Sequence, residues 1–389
     1  NKEFEGGRLI EEFQDNFSKL FDVNYSIAVN SATSGLHAAL ASLEIGPGDE
    51  VIVPCYTMSA TAATILYTGA IPIFADIDYD TFCLDLNSLK KNITERTKAI
   101  ITVNLFGHPS ELVEIKEICK KQNLYLIEDN AQAPLATIDG KKTGTFGDLA
   151  IYSLNRHKTM QCGEGGVVTS NDEELAFRVK LIRNHGELLV DRMNVKNITN
   201  IIGMNYRMTN LECAVANEQL KKLPYLTEYR QELASYLDTK LQQIEFLKSP
   251  FVQNNCTHVY YFYSMKYDSS KLGICRSLFE KAMLAEGIQI KASYETPIYL
   301  QSLYQKKIAF GNEGYPFNLN KNYKNLNYSK GICPIAEKLQ NKEFIWTQMC
   351  RPPLNKSHID CFINACNKVQ DNINLLLKYQ DQFRAKTPK

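Results

Sequence analysis

Lys158 is the residue with the widest chemistry open to it. It follows an apolar run at 149–152 and Ser153, and it precedes Cys162-Gly163-Glu164-Gly165-Gly166. A lysine enclosed between a strand end and a Gly-rich turn loses part of its preference for the charged form. A neutral amine can then attack a carbonyl and form an imine. The glycines let the backbone pass close to a bulky group. A lone lysine is usually a solvated charge, so its neighbours in sequence carry the weight. Glu128-Asp129-Asn130-Ala131-Gln132 closes an apolar run at 124–127. A buried carboxylate there would keep a heteroaromatic nitrogen protonated, and its plain counterpart is a solvated strand terminus. Asn30-Ser31-Ala32-Thr33-Ser34-Gly35 has the small residues that expose backbone N–H groups to an anion at a helix start. The same residues also read as an ordinary Ser/Thr helix cap. Gly144-Thr145-Phe146-Gly147-Asp148 is a further Gly-rich turn, and Gly203-Met204-Asn205-Tyr206-Arg207-Met208-Thr209-Asn210 precedes a helix without a catalytic pattern of its own.

These residues need elements to hold them. Apolar runs at 26–29, 50–54, 71–75, 99–105, 124–127, 149–152 and 166–169 read as strands. Helical composition fills 34–43, 61–67, a segment from Asn87, and 110–121. Continuous apolar strands separated by helices imply an α/β fold with a mainly parallel sheet covered on both faces. Ligands bind at the carboxyl edge of such sheets, and Thr33, Asp129 and Ser153 each fall just after a strand. The stretch 212–246 reads as helix with a break at Leu223-Pro224, and it carries the chain out of a large domain, 1–246. A smaller α+β domain, 247–389, follows: an aromatic strand at 258–265, a helix within 271–287, a strand at 288–294, a long surface loop at 312–330, and an amphipathic helix at 357–379 with Ile359, Phe362, Ile363, Ala365 and Cys366 on one face.

Composition narrows the partners. Lys plus Arg total 44 against 43 for Asp plus Glu, a formal charge of +1, so no nucleic-acid partner is expected. No apolar run reaches the roughly 20 residues that span a bilayer, so no membrane partner is expected and a cytoplasmic location is. The polar, acidic start does not read as a signal peptide, and the missing initiator Met suggests a trimmed chain. The 11 cysteines are scattered singly, with no close pair on a turn. They read as reduced core or surface thiols, and no metal site is expected.

Taken together the motifs resemble the DegT/DnrJ/StrS family of pyridoxal-phosphate-dependent sugar aminotransferases. The resemblance rests on Asn30-Ser31-x-Thr33-Ser34, Glu128-Asp129-x-x-Gln132-Ala133, Ser153-x4-Lys158-x4-Gly163-Glu164-Gly165-Gly166 and Gly203-x-Asn205-Tyr206-Arg207-Met208-Thr209, and it covers nearly the whole chain. It implies the type I, aspartate-aminotransferase-like fold and a homodimer with shared active sites. It implies pyridoxal 5′-phosphate as cofactor, a small-molecule keto substrate, and glutamate or glutamine as donor. Lys158 would bind the cofactor covalently and later carry the proton. Asp129 would pair with the pyridinium nitrogen and Gln132 with the phenolic oxygen. Ala32, Thr33, Ser34 and Ser153 would hold the phosphate, with Asn205 reaching it from the partner subunit. Met58 stands where many members stack an aromatic residue on the ring, and a thioether can pack there too.

His157, His185 and Tyr294 are candidates for substrate contact, and His108 reads as a loop residue near the site mouth. Sugar dehydratases of the family carry His in place of the catalytic Lys. Here Lys158, not His157, lies five positions before Gly163, as in the aminotransferases. The acceptor implied is a keto sugar, nucleotide-linked, used in surface-polysaccharide or secondary-metabolite synthesis. The stretch 331–339 is similar to a segment of the branch acting on keto-cyclitols, so a scyllo-inosose-like or small phosphorylated ketone is the alternative. A pyridoxal-phosphate dehydratase or a non-catalytic regulator is a further one. The latter would require loss of Lys158, Asp129 or Ser153.

Overall fold

A computed structural model describes residues 7–380. The outer ends of both expected domains, 1–6 and 381–389, lie outside the described residues. At its centre is a 7-stranded sheet. In spatial order its strands are Tyr25–Val29, Gly166–Ser170, Leu149–Ser153, Tyr125–Asp129, Thr97–Val103, Glu50–Pro54 and Ile71–Ala75. Gly166–Ser170 pairs antiparallel with both neighbours, and the other strands all run one way. The runs 50–54 and 71–75, apolar apart from Glu50, became strands at those same residues, because both faces are covered and every position is buried.

One packing helix has no counterpart in the sequence reading. Arg8–Phe21 buries Ile10, Phe13, Phe17 and Phe21, a spacing of three to four residues that marks one helical face. Phe17 and Phe21 pack on Tyr152, on the strand that leads to Lys158.

The break expected at Leu223-Pro224 does not occur. Asn210–Leu241 is one helix with Pro224 inside it. An interior proline removes a single main-chain hydrogen bond at a cost of about 3 kcal/mol. The segments on either side offset this by packing. Cys213, Ala216, Leu220 and Leu223 join Phe13, Phe17 and Met208 in one cluster, whereas Leu233, Ala234, Leu237 and Leu241 join Phe246, Tyr263, Phe279 and Phe362 in another.

The C-terminal part is built on a 3-stranded antiparallel sheet, Leu247–Lys248, Tyr263–Tyr267 and Phe344–Thr347, backed by the helices Arg276–Ala285 and Lys356–Asp371. The last of these buries Ile359, Phe362, Ile363, Ala365 and Cys366, the face read from the sequence. Four expectations fail here. The helix expected through 379 ends at Asp371, and Ile373–Leu377 is a separate short helix. The strand expected at 258–265 starts only at Tyr263. The stretch 288–294 makes a lone bridge, Lys291 to Trp346, instead of a strand. The loop at 312–330 is not all surface. It buries Phe317, Tyr323 and Tyr328, with the Tyr328 hydroxyl donating to Pro72 O (2.5 Å) and the Tyr323 hydroxyl to Gly48 O (2.5 Å). Its Asn and Gly content had masked three aromatic anchors.

Spacing alone hid one further contact. The thiols of Cys55 and Cys333 meet the Asp76 carboxylate in a buried cluster within 4.8 Å. Asp76 accepts the N–H groups of Ile77, Ile335 and Ala336, which ties the Pro334–Lys338 segment to the end of Ile71–Ala75.

Candidate active site

The helix Ala32–Ser42 starts directly after the strand Tyr25–Val29, with Ser31 as its cap. Ser31 Oγ accepts the Ser34 N–H (3.1 Å), and the Ser34 hydroxyl donates to Asn30 Oδ1 (2.6 Å). The N–H groups of Ala32 and Thr33 are too early in the helix for an intrahelical acceptor, so they can serve an anion. Gly166 makes the close approach possible. A Cβ at that position would lie 2.6 Å from Ala32 N. Ser153, the last residue of its strand, pairs with Gly166 and so sits beside this cradle.

The Gly203–Thr209 segment reaches the same place from outside. Met204 N–H donates to Ile182 O and Tyr206 N–H to Arg183 O, so the segment runs alongside 182–186. Gly203 is required there, because a Cβ would lie 2.3 Å from His185 Cα. Asn30 N–H donates to Tyr206 O (2.8 Å) and Asn30 Nδ2 to Asn205 O (3.5 Å). Asn205 is exposed on this edge.

Glu128 and Asp129 end one buried strand and serve different ends. Glu128 accepts the N–H groups of Gly144 (2.6 Å), Phe146 (2.8 Å) and Gly147 (2.7 Å). The Gly144–Asp148 turn therefore anchors this carboxylate. At Gly144 (φ 85°) a Cβ would run into the Tyr152 hydroxyl, which explains the glycine. Asp129 instead accepts the Thr61 hydroxyl (2.9 Å) and the Ala131 N–H (3.2 Å). Burial raises its pKa, against the pull of Thr61, the Ala131 N–H and Lys158.

Lys158 sits at the tip of the loop Leu154–Gly165. Leu154 N–H donates to Gly165 O (2.9 Å), Arg156 N–H to Gly163 O (2.8 Å), and Asn155 Nδ2 to Glu164 Oε1 (2.8 Å). Its ammonium lies 4.7 Å from the centre of the Tyr261 ring. Burial lowers its pKa to about 8, and the Asp129 carboxylate partly opposes the shift. A useful fraction is thus neutral near physiological pH, as imine formation requires.

Gln132 Oε1 accepts the Phe106 N–H (2.9 Å), and its Nε2 donates to the Tyr294 hydroxyl (3.1 Å). Tyr294 packs edge-on against Tyr56 and Phe106. The structure thus joins Tyr294, from the C-terminal part of the chain, to the carboxyl edge of the sheet. Met58 caps the helix Ser59–Tyr67 one turn before Thr61 and is 51% exposed. His157 is exposed, and its Nε2 accepts from Arg156 Nε (3.2 Å). His185 adopts a left-handed turn (φ 51°), and its N–H donates to Met204 O. His108 is not at a site mouth. It is buried, its Nε2 accepts the Gln253 N–H, and its ring lies against His258. Cys162 donates to Glu164 O (3.1 Å), and burial pushes its thiol up to about 12.

Two site residues have no signal in the local sequence. Thr61 looked like one more small helical residue, yet it holds Asp129. Tyr261 belongs to an aromatic run whose facing only the fold decides. A useful hint was Gly107 (φ 107°), where a Cβ would lie 2.8 Å from Tyr260 N; such a glycine marks the approach of another chain segment.

A capped helix start with unbonded N–H groups, a buried carboxylate with spare acceptor capacity and a depressed lysine share one sheet edge. That donor set fits a phosphorylated pyridine aldehyde, whose phosphate, ring nitrogen and carbonyl each find a partner. The comparisons agree. The chain belongs to the DegT/DnrJ/EryC1/StrS aminotransferase family, whose model matches residues 1–323. It is 37% identical over 299 residues to GDP-perosamine synthase of Caulobacter vibrioides, covering 77% of this chain and 79% of that one. It is 32% identical over 320 residues to spore coat polysaccharide biosynthesis protein SpsC of Bacillus subtilis, covering 81% and 82%. Among solved structures, an aminotransferase from Psychrobacter cryohalolentis superposes with a TM-score of 0.82 at 28% identity, covering 95% of this chain and 92% of that one. The protein is a pyridoxal-phosphate-dependent aminotransferase of the type I fold.

Proposed function

We propose, from membership of this family, that the enzyme moves an amino group from glutamate or glutamine to a nucleotide-linked keto sugar, in surface-polysaccharide or secondary-metabolite biosynthesis. The observation that carries the reading is Lys158, whose pKa is lowered to about 8 by burial, a shift partly opposed by the charge of the buried Asp129. The names of the two relatives, a GDP-sugar synthase and a spore-coat polysaccharide protein, support the acceptor class.

Pyridoxal phosphate supplies an electron-withdrawing ring that stabilises a carbanion beside the exchanged nitrogen. Lys158 would hold the cofactor covalently and would carry the proton to and from the donor's Cα. Asp129 keeps the ring nitrogen protonated, and Thr61 orients that carboxylate. Gln132 faces the phenolic oxygen and shares its amide with Tyr294. Ala32, Thr33, Ser34 and Ser153 bind the phosphate, and Asn205 reaches it from a second subunit of a homodimer. Met58 packs on the ring. Tyr294, His157 and His185 line the substrate side. The division into a cofactor domain, 1–246, and a smaller domain, 247–389, and a cytoplasmic location belong to the same proposal. Among the described residues no helix is long and apolar enough to cross a membrane.

Lys158→Ala is expected to abolish the visible absorbance of the bound cofactor and all turnover. Full activity in that variant would refute the assignment. The acceptor is tested by adding a GDP-linked keto sugar, scyllo-inosose or a phosphorylated ketone to the pyridoxamine form. Fastest return of the aldehyde form with the GDP-linked compound is expected. Fastest return with scyllo-inosose would replace this reading with the keto-cyclitol one.

A further inference from the structure

Gln340 lies on a single π-helical turn, Leu339–Glu343, between the short helix Pro334–Lys338 and the strand Phe344–Thr347. Such turns are rare and frequently lie at functional sites. Here Arg276 holds the turn. Its guanidinium donates to Leu339 O (3.1 Å), Gln340 O (2.7 Å) and Phe344 O (2.9 Å), so one side chain ties three main-chain carbonyls. The planar guanidinium fixes the directions of its donors and thereby the shape of the turn.

The side chain placed in this way serves two tyrosines. Gln340 Oε1 accepts the Tyr294 N–H (3.1 Å) and the Tyr56 hydroxyl (2.6 Å). A main-chain N–H can only donate, so the amide oxygen of Gln340, and not its NH₂, must face Tyr294. The Tyr56 and Tyr294 rings meet edge-on with their centres 5.7 Å apart. One acceptor atom therefore fixes both the backbone at Tyr294 and the ring packed beside it.

Tyr294 passes this constraint to the ligand edge. Its hydroxyl accepts from Gln132 Nε2 (3.1 Å). The Gln132 amide cannot turn over, because its Oε1 is occupied by the Phe106 N–H (2.9 Å). Nε2 carries two hydrogens, Tyr294 takes one, and the other is left for a ligand. The Asp129 and Tyr261 side chains both act electrostatically on Tyr294, which sets its hydroxyl among the residues around Lys158. Burial raises the pKa of that hydroxyl, so it keeps its proton near neutral pH.

We propose that Gln340 is a positioning residue for transamination: by holding Tyr294 it aims the free N–H of Gln132 at the phenolic oxygen of the cofactor. This rests on the reading of Gln132 given above. An N–H donated to that oxygen stabilises its negative charge and weakens its hold on the proton of the Lys158–cofactor linkage. When Tyr294 is loosened, the Gln132 amide swings away and the linkage keeps its proton to higher pH.

The pH midpoint of the visible absorbance of the cofactor-loaded enzyme reads that proton. Gln340→Met and Gln340→Leu remove the acceptor and keep much of the side-chain volume, and Tyr294→Phe removes the hydroxyl while leaving the N–H. The midpoint should rise by about one pH unit in Tyr294→Phe and by about half a unit in either Gln340 variant, as for one hydrogen bond lost and one loosened. The double variant should match Tyr294→Phe alone, because Gln340 then has nothing to transmit. Melting temperature and cofactor retention serve as folding controls. Gln340 variants that melt early with an unmoved midpoint would reduce the residue to a structural role and overturn the proposal. Shifts that simply add in the double variant would overturn it as well, since Gln340 would then act by another route. Gln132→Met separates the underlying reading. It should shift the midpoint at least as far as Tyr294→Phe, and an unmoved midpoint there would remove Gln132 from the phenolic oxygen and the role of Gln340 with it.

Discussion

Glu128 and Asp129 are consecutive, share one strand end and are both hidden from water. They differ in what surrounds them. Glu128 is met by three backbone N–H groups of a Gly-rich turn, so its acceptor capacity is largely spent inside the protein. Asp129 receives one hydroxyl and one longer N–H contact, and the charge of Lys158 acts on it. Burial raises the pKa of both carboxyls, so burial cannot tell the structural acid from the functional one. The number of donors already bound can. A carboxylate with unspent capacity beside a depressed cation is poised for a ligand, and one filled by main-chain amides is a clamp.

Substitutions of the pair can break this contrast. The largest effect is expected from Asp129→Asn. Turnover should fall by roughly 10²–10³-fold, as for the loss of one preorganised electrostatic partner, with little change in melting temperature. A steady-state assay alongside thermal melts decides it, and a variant that melts early but turns over normally would reverse the two roles. Glu128→Gln should do the opposite. An amide keeps one acceptor oxygen but turns an NH₂ toward a backbone N–H, costing roughly 2–3 kcal/mol of stability. Denaturant titration measures that loss, and kcat of the folded fraction should stay close to the original.

The smallest effect concerns pH. With Lys158 lowered to about 8, its neutral fraction grows as pH rises through that value. It is about a tenth at pH 7 and about nine-tenths at pH 9. The rate at which the apoenzyme captures pyridoxal phosphate should rise along that curve. Since Asp129 partly holds the Lys158 pKa up, Asp129→Asn should move the midpoint to lower pH. A stopped-flow midpoint near the ordinary lysine value would show that burial does not depress this amine.

Much of the fold was legible because it is local. Apolar runs longer than a turn and shorter than a helix became strands, with 50–54 and 71–75 correct at both ends. The helix cap at Ser31 was legible for the same reason, since a cap and a first turn involve neighbours in sequence. Misreadings cluster where distant segments decide. Pro224 suggested a break, but packing on both sides holds one helix. The stretch 288–294 has strand composition, yet it found only one bridging partner, Trp346. The Asn-rich 312–330 looked solvated, and its aromatic residues are anchored on the far side of the sheet.

The sequence by itself determined the α/β architecture, through apolar runs at short spacings, and its motifs carried the resemblance that implies the family and its cofactor. Tertiary structure alone decided which of two adjacent acids faces the ligand edge and that Thr61 orients it. It also decided that Tyr261 lies against Lys158. Those outcomes are contacts between segments far apart in the chain. Their energies depend on burial and on the count of available donors, and no local pattern encodes either.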